Sequence, residues 1–68
     1  MTNFRITFNN LENAFAAMLK NSKYNHWYEL FDREDFEEEF AKFVGKTESA
    51  LWKSKTFVKW YHEMAEEL

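Results

Sequence analysis

The sequence predicts an all-α fold: a compact four-helix domain preceded by an extended or strand-like N-terminal segment. Three observations carry that reading. Apolar residues recur at i, i+3, i+4 and i+7 in successive windows, the period of a helix with one buried face. Residues suited to starting or stopping helices, among them Asn9, Ser22, Asp32, Gly45 and Thr47, fall between those windows. With no Pro, one Gly, no repeat and no low-complexity tract, nothing marks a linker, so residues 1–68 read as one small helical domain.

At the start, Phe4, Ile6 and Phe8 alternate with Asn3, Arg5 and Thr7, the period-two pattern of a half-buried strand. A lone strand is unstable, so this segment must pair with another strand, pair with its own copy in a homodimer, or pack against helices as an arm. Asn9 with Glu12 forms a capping-box pattern for a first helix from about Asn10 to Asn21, whose apolar stripe is Leu11, Ala14, Phe15, Met18 and Leu19. Ser22 is placed to cap a second helix carrying Tyr24, Trp27, Tyr28 and Phe31 on one face. Asp32 is placed to cap a third, with Glu34 and Asp35 in its first turn and Phe36, Phe40, Phe43 and Val44 as its buried face.

Gly45 sits where a left-handed C-terminal residue is expected, and Thr47 or Ser49 then caps the last helix. That helix is expected from about Glu48 to Glu67. At 100° per residue, Ala50, Leu51, Phe57, Val58, Tyr61, Met64, Ala65 and Leu68 share one arc, with Ser54 among them and Trp60 at its rim. Thr56 to Tyr61 also has strand propensity, and a terminal strand paired with Phe4 to Phe8 is the competing arrangement.

At 68 residues a single core gives only a few kcal/mol of net stability, and without Cys there is no disulfide to add to it. Eight Phe, three Trp and three Tyr compensate, since each aromatic ring buries on the order of 150–250 Å². The lack of Cys fits a reducing compartment, and the cytoplasm is the expected location. No apolar run approaches the roughly 20 residues that span a bilayer, and the N-terminus carries no signal-peptide pattern, so no membrane association is expected.

Charge is segregated along the chain. Glu29 to Glu39 holds seven carboxylates and one Arg, whereas Lys42 to Lys59 holds five Lys and one Glu, within a net charge of −3. Opposed fields with an excess of aromatics suit a domain that meets another macromolecule. The carboxylates Glu29, Asp32, Glu34, Asp35, Glu37, Glu38 and Glu39 would engage a basic groove on a protein partner, imitating nucleic-acid phosphates, unless they form only a solvated face with Glu38 and Lys42 paired at i, i+4. Trp52 falls nearly opposite the apolar arc, beside Lys55, Thr56 and Lys59. It is either an interface anchor or, if the last helix starts later, a lid folded over the core edge. In composition the chain is similar to small acidic proteins that viruses encode against host defences, an analogy resting on no residue motif. The expected function is a non-catalytic protein-binding regulator or inhibitor of phage or mobile-element type.

Residues Phe40 to Lys53, FAKFVGKTESALWK, resemble the helix-turn-helix of small phage repressors of the Cro type, with Ala41 at the helix contact, Gly45 at the turn and Leu51 six residues on. The resemblance covers about a fifth of the chain and implies DNA binding as the alternative function. Thr47, Glu48, Ser49 and Lys53 would then face the major groove, and Trp52 or Lys55 the backbone. Lys46 and Ser54 depart from the apolar residues usual in that family, and Glu37 to Glu39 would lie near phosphates. The segment Asn3 to Thr7 before a capped helix also resembles the ribbon-helix-helix strand, without that family's turn glycine and with one cation facing the groove.

Enzymatic chemistry finds little support. His26 with Glu29, and His62 with Glu66, have helical spacing, but a metal site needs three or four converging ligands. There is no Cys nucleophile and no glycine-rich phosphate loop, so neither catalysis nor a cofactor is expected.

Overall fold

Thr7 decides where the first helix begins. The structure, a computed structural model, describes residues 4–68. Thr7 is extended at φ −128°, ψ 160°, and its hydroxyl accepts the Asn10 N–H at 3.1 Å, so α1 runs Phe8–Lys20. Asn9 lies inside the helix and makes no capping box. Asn10 instead turns its amide back to donate to the Arg5 carbonyl at 2.8 Å. No strand forms among the described residues. Phe4 and Ile6 are partly buried against the chain's own core, Phe8 opens α1, and Asn3 lies outside the described residues.

Ser22 caps no second helix. Its hydroxyl donates to the Leu19 carbonyl at 2.7 Å and accepts the Tyr24 N–H at 3.1 Å, which rounds off the end of α1. The next helix, α2, is short, Trp27–Phe31, and buries Leu30 and Phe31 while Tyr28 points outward. Asp32 ends α2 and starts nothing. Asp35 precedes α3, Phe36–Val44, but its carboxylate is held by the Arg33 guanidinium at 3.0 Å and gives no capping bond. Phe43 is 44% exposed, and Ala41 takes the buried place that spacing assigns to it.

Gly45 ends α3 at φ 76°, with its N–H on the Lys42 carbonyl and the Lys46 N–H on the Ala41 carbonyl at 2.9 Å, a Schellman closure. The long final helix is in fact two helices, making five in all among the described residues. Thr47 caps α4, Glu48–Trp52, by accepting the Ala50 N–H at 3.1 Å. Ser54 then caps α5, Lys55–Glu66, by accepting the Phe57 N–H at 3.3 Å. Residues 56–61 are therefore helical. The physical reason for the break is burial. In one unbroken helix Trp52 would sit about 140° from Phe57 and about 180° from Tyr61. With the turn at Ser54 the Trp52 ring lies 5.0 Å from Phe57 and 5.1 Å from Tyr61, and Trp60 becomes fully buried. Ala50 and Leu68, placed on the expected arc, are exposed.

Helices α1, α3 and α5 surround an aromatic centre. Phe15 meets Trp27, Phe31, Phe36 and Trp60 edge-on, with centroids 5.6–6.5 Å apart. Trp60 stacks on Phe40 at 5.5 Å. Leu11, Leu51 and Phe57, each 0% exposed, close the remaining space. The Cα radius of gyration, 11.2 Å, is close to the ~11 Å expected for a folded chain of this length.

Candidate protein-binding surface

One hydrogen bond organises the surface. Tyr61 on α5 donates its hydroxyl to Glu37 Oε2 on α3 at 2.9 Å, the single side-chain hydrogen bond among the described residues that joins distant parts of the chain. Burial holds the phenol neutral first, and the Glu37 hydrogen bond, the Glu37 charge and the Asp32 charge add to it, pushing the Tyr61 pKa up to about 12. The centroid of the Tyr61 ring lies 4.8 Å from that of Phe31 and 5.1 Å from that of Trp52. Trp52 and the acidic face, distinct in the sequence, are thus neighbours across Tyr61. Trp52 does fold back over the core edge, yet remains 38% exposed.

The other carboxylates divide by partner. Asp35 pairs with Arg33, and Glu38 and Glu39 lie 3.7 and 3.8 Å from the Lys42 ammonium on the same helix. Both sets are exposed enough to contribute little to stability. Glu29, Asp32 and Glu34 are exposed and form no ion pair among the described residues, and the same holds for Lys53, Lys55 and Lys59. Apart from Lys42, then, the two charge fields do not neutralise each other among the described residues. Thr47 and Ser49, assigned to DNA contact by the helix-turn-helix resemblance, are also exposed, while Ala41 and Leu51 are buried.

Sequence reasoning placed Tyr61 in the core arc and missed its polar end. A tyrosine at the margin of an apolar arc is the signal, because its hydroxyl must find water or a partner. No converging reactive set accompanies this surface. The groove of about 440 Å³ between the N-terminal segment, α1 and α3 is lined by Phe4, Arg5, Asn10, Ala14, Phe43 and Val44 among others, without a carboxylate or histidine. Among the described residues no three His, Cys, Asp or Glu side chains gather as metal ligands. His26 instead stacks on Tyr28 at 5.2 Å. No helix among the described residues is long and apolar enough to cross a membrane. Comparison with protein-family models, curated proteins and solved structures finds no match to this chain.

Proposed function

We propose that this chain is a non-catalytic protein-binding regulator or inhibitor that takes a basic surface of a partner protein onto its acidic α2–α3 edge. The observation that supports it is the continuity of exposed Trp52 through half-buried Tyr61 and Glu37 to exposed Asp32, with Glu29 and Glu34 left without cationic partners among the described residues. Unpaired carboxylates steer a basic partner into place, and a half-exposed indole supplies the apolar area that holds it. Tagged wild-type protein should recover a partner from cells of its source, and Glu34→Lys with Glu38→Lys should recover at least about tenfold less, since like charges then face each other. Equal recovery by that variant would end the proposal.

DNA binding through Thr47, Ser49, Trp52, Lys53 and Lys55 is the second reading, supported by the exposure of all five. Against it, α4 holds five residues and is only about 7.5 Å long, short for an element laid in a major groove. A mobility shift on mixed duplex DNA separates the two readings. DNA binding requires a complex that weakens steeply with salt, and its absence at low salt removes that reading.

A further inference from the structure

We propose that this chain associates with a second copy of itself through the surface centred on Trp52, in a two-fold arrangement that lays the carboxylates of one copy against the lysines of the other. An isologous interface must contain its own complement, because the same patch meets itself after rotation. This patch does. Tyr61, beside Trp52, leads to Glu37 and Asp32, and from Trp52 the chain continues directly into exposed Lys53 and Lys55.

Complementarity is useful between copies only if it is unused within one, and that holds here. Among the described residues, Lys53, Lys55 and Lys59 have no carboxylate within ion-pair distance, and neither Asp32 nor Glu34 has a cation. The centre of the patch is Trp52, 38% exposed, so a copy seated there covers indole while the flanking charges fix the register. A standard interface takes about 800 Å² from each partner. The molecule measures 28 × 27 × 21 Å, so such an interface would occupy nearly one whole face. A single 38% exposed indole with flanking surface charges falls short of that area, which puts the association at the weak, concentration-dependent end, in the micromolar range or above. It goes beyond the proposed function: it uses the same surface and needs no other protein, and a paired copy would block partner capture.

The test is sedimentation velocity of the intact chain over a concentration series, with folding checked by circular dichroism. Wild type should pass from monomer to dimer, and a rise from about 0.05 to about 0.5 M NaCl should weaken the dimer at least ~10-fold as the charges are screened. Glu34→Lys with Glu38→Lys should be monomeric, and so should Lys53→Glu with Lys55→Glu. These four positions are exposed, so both variants are expected to fold. Mixing the two in equal amounts should restore association, because the lysines introduced in one variant then face the glutamates introduced in the other. A monomeric wild type at every concentration overturns the proposal, as does a dimer that survives both reversals or a mixture that stays monomeric. If wild type stays monomeric yet still captures a partner that Glu34→Lys with Glu38→Lys loses, self-association falls and the proposed function stands.

Discussion

Trp60 and Trp52 lie eight positions apart and have opposite fates. Trp60 is 1% exposed among Phe15, Phe40 and Phe57, and its indole N–H is buried without an acceptor among the described residues. Trp52 covers Phe57 and Tyr61 with its edge and leaves 38% of its surface to solvent. The first keeps a polar atom unsatisfied for the sake of packed area; the second gives up packed area. Burial of that kind serves stability, and exposure of that kind is available for recognition.

The sharpest way to break this contrast is to truncate each indole. Trp60→Ala should cost about 3–5 kcal/mol. For a domain of this size that is much of a total of roughly 3–10 kcal/mol. Trp52→Ala should cost about 1–2 kcal/mol, the worth of its edge contacts with Phe57 and Tyr61. Urea unfolding followed by circular dichroism measures both, and equal losses would erase the distinction.

The turns that place the two rings come next. Gly45→Ala should destabilise by about 1–2 kcal/mol through the left-handed backbone alone, since a Cβ there meets nothing within 4 Å. Gly45→Asn should cost less, because Asn tolerates that conformation. Ser54→Ala should cost about 1 kcal/mol by removing the α5 cap. It should also loosen Trp52 from Tyr61, seen as a change in Trp52 indole chemical shift that Thr47→Ala does not produce.

The smallest expected effect concerns pH. Tyr61 is neutral in the fold up to about 12 against 10.0 for a free phenol, so the folded state holds its proton longer than the unfolded chain. Stability from this group is complete below pH 10 and is lost as pH rises from there through about 12. In Glu37→Gln the tyrosinate absorbance of Tyr61 should appear at lower pH than in wild type, yet still above 10.0, because burial is the larger cause.

Much of the architecture was legible. Helical spacing located Leu11, Phe15, Phe36, Phe40 and Phe57 in the core, and Gly45 marked its turn. Boundaries were legible only where one cap had no rival. Thr7 and Asn9 were both able to start α1, and the extended backbone at Thr7 prevailed. Asp32 and Asp35 competed before α3, and Arg33 drew off the carboxylate of Asp35. Ser54, a polar residue inside an apolar arc, was the readable sign that the final helix breaks, and the break decides between the two placements open to Trp52 and takes Trp60 from the rim of the arc into the core. That Trp52 and Glu37 both touch Tyr61 was not readable at all, since it depends on that break and on Tyr61 spanning from α5 to α3.

Whether Trp52 serves recognition more than stability is tested most directly by partner recovery from cells with tagged Trp52→Ala, at a temperature where circular dichroism shows it folded. The expected result is a folded protein whose recovery of partner falls at least about tenfold, as for an anchor at the centre of an interface. Recovery at the wild-type level by folded Trp52→Ala would contradict it.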